Sequence, residues 1–180
     1  MDNAGAIDDF LAAVERRAFV MARMATGNPD DALDIVQDAM MKLVQKYADK
    51  EPEAWPPLFY RILQSRINDH FRREKVRSRW RVFLGARNPE EENSDPIAQL
   101  ADPHGRDPEG LLNVAQLGER LTEALAALPH RQQQTFMLRA WQGFSVSETA
   151  QAMNCTDGTI KTHYSRAISN LRKQLGDMWP

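Results

Sequence analysis

The sequence predicts an all-α protein made of two small helical domains joined by an acidic connector. Three observations lead there. Apolar residues recur at three- and four-residue steps through both ends of the chain. No stretch alternates apolar and polar residues in the manner of a half-buried strand. One segment, 85–110, breaks the periodicity and carries Pro89, Pro96, Pro103 and Pro108 with Gly85, Gly105 and Gly110. It divides the chain into an N-terminal lobe, 1–84, and a C-terminal lobe, 111–180. A length of 180 residues allows one compact domain or two small ones.

The elements follow in order. Phe10, Leu11, Val14, Ala18 and Met21 mark a first helix, which Gly27-Asn28-Pro29 ends. Pro29 is suited to open the next, and Asp30 and Asp31 suit the positive end of its dipole. Ile35, Val36, Ala39, Met40, Leu43, Val44 and Tyr47 give this second helix its inward stripe. A break through Asp49, Pro52, Pro56 and Pro57 precedes a third helix from about Leu58, with Phe59, Ile62, Leu63, Ile67 and Phe71 inward and arginines outward. In the C-terminal lobe, Leu117, Leu121, Leu125 and Leu128 mark a helix ended by Pro129. Gln134 to Trp141 forms another, closed at Gly143. Ser145-Val146-Ser147-Glu148 is a capping box opening a short helix to about Met153. Asn154-Cys155-Thr156 is a tight turn. Thr156 caps a last helix with Ile160, Tyr164, Ala167, Ile168, Leu171 and Leu175 inward.

Composition narrows the function. With 42% hydrophobic and 27% charged residues the chain can bury a core, which excludes collagen-like and fully disordered classes. No apolar run approaches the roughly 20 residues of a spanning helix. The acidic start, with Asp2, Asp8 and Asp9, is unlike a secretion signal. A lone cysteine, Cys155, excludes an internal disulfide framework and points to a reducing, cytoplasmic setting. The net charge of −2, read alone, argues against a nucleic-acid binder. The average hides a segregation: 61–81 holds eight bases against two acids, a net +6, and 85–109 holds seven acids against two bases, a net −5. The basic block sits beside Phe71, Trp80 and Phe83, a combination suited to a phosphate backbone and unstacked bases. The plainer reading is a solvated face.

The short capped helix, tight turn and longer amphipathic helix form a helix-turn-helix pattern. The second helix carries Thr159, Lys161, Thr162, His163 and Arg166 on its N-terminal half, residue types that read base edges in a major groove. An ordinary antiparallel helix pair is the alternative. Asp31, Asp34 and Asp38, spaced i, i+3 and i+7, share one face of the second helix with Gln37 at its edge. A solvated surface or a metal-dependent hydrolase site are readings of those carboxylates, although no ligating histidine accompanies them. Phosphate loops and nucleophile elbows are absent from the sequence. Trp55, Trp80 and Trp141 fit packing better than binding platforms, and Met178-Trp179-Pro180 reads as a frayed end.

The stretches Gly143–Ala150 and Gly158–Ala167, with Leu128-Pro129-His130-Arg131-Gln132-Gln133-Gln134 upstream, resemble region 4 of bacterial sigma factors of the small extracytoplasmic-function type. Asp31-Ala32-Leu33-Asp34-Ile35-Val36-Gln37-Asp38 resembles the signature helix of region 2, and Arg61-Ile62 through Asp69, Arg72 and Arg73 resembles the helix after it. The resemblance covers both lobes in the right order. It implies a factor without catalytic residues, metal or cofactor, acting as a monomer that brings core RNA polymerase to promoter DNA. By resemblance, Asp31, Asp34, Gln37 and Asp38 dock on the basic coiled coil of the largest polymerase subunit, β′, with β as a further contact. Trp55, Arg61, Ser65, Arg66, Asp69, Arg72 and Arg73 take the −10 element, with the loop 49–55 holding a flipped base. Thr159, Lys161, Thr162, His163 and Arg166 take the −35 element. The acidic linker would run near the RNA exit path. An anti-sigma factor is implied by resemblance alone. The sequence departs from the family at Leu58-Phe59, where tryptophan-leucine is usual, at Ser65 for asparagine, and at Thr149 for isoleucine.

Overall fold

The computed structural model describes the backbone of residues 3–83 and 118–176, and the side chains of 5–76 and 118–176. The proline- and acid-rich stretch 85–110, Leu117, the side chains of the aromatics Trp80 and Phe83 and the C-terminal Met178-Trp179-Pro180 lie outside what is described. The regular structure of the described residues is helical, with no strand among them, and the chain divides into two compact units, one centred on the N-terminal helices and the other on the C-terminal helices.

In the first unit α1 spans Asn3–Thr26, α2 Pro29–Tyr47 and α3 Trp55–Phe83. Gly27 takes φ +72, a left-handed turn that glycine adopts without a Cβ clash, and its N–H closes on the Arg23 carbonyl at 2.9 Å. The Asn28 side chain then accepts from the N–H groups of Asp30 (2.8 Å) and Asp31 (3.1 Å), capping α2 ahead of Pro29. The helices pack on one another through Ala18, Met21 and Ala22 of α1, Ala32, Ile35, Val36, Ala39 and Leu43 of α2, and Phe59, Leu63 and Ile67 of α3, all buried.

Two expectations for this unit are corrected. Val44 is 41% exposed rather than inward, because Leu43 occupies the core position and the next residue lies a hundred degrees further round the helix. Helix α3 begins at Trp55, after a 3-10 turn at Pro52–Ala54, and not near Leu58. Pro56 and Pro57 fall in its first turn, where the missing N–H groups have no intrahelical acceptor to lose.

In the second unit α4 covers 118–126, α5 His130–Phe136, α6 Val146–Met153 and α7 Asp157–Leu175. Helix α5 opens at His130 rather than Gln134: the N–H groups of Gln132 and Gln133 close on the Pro129 carbonyl at 2.8 and 3.0 Å. This puts Gln133 and Gln134 in the core. The Gln133 amide donates to the Leu125 carbonyl at 3.0 Å and the Gln134 amide to Gln133 Oε1 at 3.0 Å, so their burial leaves these amides paired. The helix continues into a wider π turn, Met137–Trp141, and stops at Gly143, φ +74. The capping box forms as the sequence predicts: Ser145 N–H donates to Glu148 Oε2 at 2.7 Å, and Glu148 N–H donates to Ser145 Oγ at 3.2 Å. Asn154 takes φ +51 in the turn, and Thr156 Oγ1 accepts from Thr159 N–H at 3.3 Å to cap α7. Helix α7 packs on α5 through buried Ile160, Ala167 and Leu171, and Asn170 Nδ2 donates to Gln132 Oε1 at 2.9 Å.

Candidate functional site

Three exposed helix faces collect the residues singled out in the sequence. On α2, Asp34, Gln37 and Asp38 are exposed and Asp31 half-buried. Leu33, Met41 and Val44 share this surface at 44%, 58% and 41% exposure. The spacing 33, 37, 41, 44 runs along one side of the helix, and Asp34 and Asp38 flank it. The family resemblance in the sequence points only to the polar residues of this face. Leu33 and Met41 stand off the inward stripe, and that displacement is the signal that could have found them. Apolar side chains this open on a helix flanked by carboxylates favour a partner that is itself apolar and basic.

On α3, Arg61, Ser65 and Arg72 are exposed on one side at helical spacing, with Val76 (54% exposed) continuing the line and Asp69 half-buried beside it. Arg66 and Arg73, seven residues apart, lie on the flank. The helix has 29 residues, about 43 Å at the α-helical rise. Arg66 Nε stands 3.8 Å from Asp38 Oδ2, an ion pair that joins this helix to α2.

Trp55 does not belong to this face. It is 1% exposed, its indole N–H donates to the Tyr47 carbonyl at 3.0 Å, and its ring lies 6.0 Å from that of Phe10. Phe10 also meets Phe59 edge-on at 6.0 Å. The aromatic cluster closes the Trp55 ring to an incoming base, a correction to the expectation that it contacts the −10 strand. The stretch ahead of it is also shorter than expected, since 52–54 are already a 3-10 turn.

On α7, Lys161, Thr162 and Arg166 are exposed and Thr159 and His163 half-buried. The Thr159 hydroxyl shares a 2.9 Å hydrogen bond with Thr156 Oγ1, and Thr162 Oγ1 donates to the Gly158 carbonyl at 3.0 Å, so both hydroxyls are fixed to the start of the helix. Burial holds the His163 imidazole below its usual range, and the Arg131 and Arg166 guanidinium groups push it the same way. Ser165, exposed between Lys161 and Arg166, belongs to this face and was not singled out in the sequence. Tyr164 anchors the helix from behind: it stacks on Phe136 at 6.2 Å and lies under the Arg139 guanidinium, 5.5 Å from the ring centre. Arg139 also donates to the Phe144 carbonyl, tying the loop before α6 to the same point.

Asp31, Asp34 and Asp38 lie in a row along α2 and do not converge, and among the described residues no three histidine, cysteine or acidic side chains form a group able to hold a metal. Cys155 is half-buried, and burial raises its thiol pKa. No helix of the described residues is long and apolar enough to cross a membrane.

Two family models match the chain: sigma-70 region 2 over residues 10–77 and sigma-70 region 4 over residues 118–171, together about two thirds of its length. The RNA polymerase sigma factor SigV of Bacillus subtilis is 29% identical over 149 residues, covering 82% of this chain and 78% of that one. The RNA polymerase sigma-E factor of Streptomyces antibioticus is 28% identical over 176 residues, covering 95% and 87%. The sigma factor RpoE of Bartonella quintana, solved with the anti-sigma factor NepR, shares the fold with a TM-score of 0.64 at 24% identity, over 94% of this chain and 98% of that one. The chain belongs to the sigma-70 family, in its extracytoplasmic-function branch, and is a sigma factor that directs RNA polymerase to promoters.

Proposed function

We propose that the three exposed faces divide the work of transcription initiation. The α2 face, Leu33, Met41 and Val44 with Asp31, Asp34, Gln37 and Asp38, docks on a basic coiled coil of the polymerase β′ subunit, with β as a further contact. Its carboxylates orient the encounter and its apolar side chains supply affinity. The α3 face, Arg61, Ser65, Arg66, Asp69, Arg72 and Arg73, takes the nontemplate strand of the −10 element and stabilises it as the duplex opens. The α7 face, Thr159, Lys161, Thr162, His163, Ser165 and Arg166, reads the −35 element in the major groove. The segments 1–84 and 111–180 are the two working units and 85–110 their acidic tether.

One observation carries the reading: an apolar stripe edged by carboxylates lies open on α2, next to a helix whose exposed side is basic. A solvated surface has no use for Leu33, Met41 and Val44 in a row. The factor performs no catalysis, works in the cytoplasm as a monomer, and is held by an anti-sigma factor, as the Bartonella relative is. The test is run-off transcription with core polymerase on a genomic promoter library. Transcripts sharing a −35 and a −10 sequence support the reading. Substitution of Met41 by aspartate should lower core binding about tenfold, the scale of one buried apolar contact replaced by a charge. Full core binding by that variant would reject the α2 assignment.

A further inference from the structure

Asp38 and Arg66 belong to different tasks in the reading above, yet the fold sets them against each other. Asp38 is on the polymerase face of α2, with its side chain 62% exposed; Arg66 is on the flank of the −10 helix, 29% exposed. Arg66 Nε is 3.8 Å from Asp38 Oδ2, and that nitrogen is buried without a hydrogen bond. The contact is therefore an ion pair held by charge alone. Such pairs are weak and exchange easily for a better partner on either side. A basic group of a partner arriving at Asp38 competes with Arg66; a phosphate arriving at Arg66 competes with Asp38. The two exchanges help each other, because each frees the group that the other ligand needs.

We infer that this pair is a restraint built into the free factor: Asp38 holds Arg66 back from DNA, and occupation of Asp38 by polymerase releases it to the −10 strand. The inference rests on the assignment of α2 to polymerase and α3 to DNA. It links the two through a single contact, and gives a physical reason for DNA capture to wait for assembly. The coupling is modest in size, about two- to fivefold for a partly exposed pair.

A double-mutant cycle tests it. The full-length chain, Asp38→Asn, Arg66→Gln and the double variant are titrated without polymerase, at low salt. The probe is a fluorescent single strand carrying the nontemplate −10 region of a promoter found in the run-off experiment. With Arg66 present, Asp38→Asn should raise affinity about two- to fivefold; with Arg66→Gln it should change nothing. An equal gain in both backgrounds would mean that Asp38 repels DNA only as a general negative charge, and would overturn the restraint, as would no gain at all. In the assembled holoenzyme, Arg66→Gln should weaken retention of the same strand. If it does not, Arg66 holds no DNA, and the proposal falls with the assignment of α3 rather than with the pair.

Discussion

Replacing Trp55 by alanine empties the place of the largest fully buried side chain among the described residues of the N-terminal unit. The lost packing against Phe10 and Phe59 should cost about 3–5 kcal/mol, read as a lower urea midpoint for the full chain. Phenylalanine at the same place keeps most of the ring contact and loses the indole N–H on the Tyr47 carbonyl, a cost of about 1 kcal/mol. Promoter opening by the Trp55→Phe holoenzyme should be intact below its melting temperature, since the ring faces the core and not the strand; a selective loss of opening at full stability would restore Trp55 to the DNA face. In the other unit, burial first and Arg131 second push the His130 imidazole down to about 4. Its value in the unfolded chain is near 6.5. Between those values the unfolded chain takes up a proton that the folded one refuses, so unfolding becomes easier as pH falls from about 6.5 towards 4, and above that window His130 contributes no slope. The effect should be on the order of 2 kcal/mol across the window, and His130→Gln should flatten the measured stability profile there.

At the scale of elements, helix α6 depends on its cap. The Ser145 hydroxyl and amide hold the Glu148 carboxyl below the usual carboxylate range, and the reciprocal bonds close the first turn of an eight-residue helix that is too short to stand by propensity. Ser145→Ala should destabilise the C-terminal unit by about 1 kcal/mol and Ser145→Gly by only a few tenths, measured by denaturant unfolding; equal losses would show that the hydroxyl is not the cap. Signals of this local kind were legible in the sequence: the capping box, Thr156, Gly143 and the apolar spacing of α7 all stand where the residues put them. What was not legible depends on partners far along the chain. Pro56 and Pro57 look like a break because proline stops a helix from within, yet they also fit a first turn, and only the packing of Trp55 on Phe10 decides between the two. Gln133 and Gln134 look like surface residues until the Leu125 carbonyl is in reach. The same reasoning explains the partial view of the α2 face. Polar residues at regular spacing announce an exposed side, whereas Leu33 and Met41 are marked only by standing off the inward stripe, and Val44, which falls within that stripe, shows itself as exposed once the helix is packed.

At the scale of the whole molecule, charge decides when the factor meets DNA. The basic residues of α3 and α7 sit in a chain whose net charge is −2. Long-range attraction to a duplex is therefore weak, and each phosphate contact must be won at close range against the acids elsewhere in the chain. In the proposed reading polymerase changes this balance, by bringing its own DNA-binding surface and by covering the carboxylates of α2. The free full-length chain should thus leave duplex promoter DNA unbound in a gel-shift assay at physiological salt, and added core polymerase should produce a specific complex. The affinity of that complex should fall steeply with salt, by a slope of about 0.9 for each phosphate contact, and removing one contact, as in Arg72→Gln, should lower the slope by about one. Tight, sequence-specific binding of duplex promoter DNA by the isolated chain would contradict the argument, because it would require a favourable field that the balance of charges in this sequence does not supply.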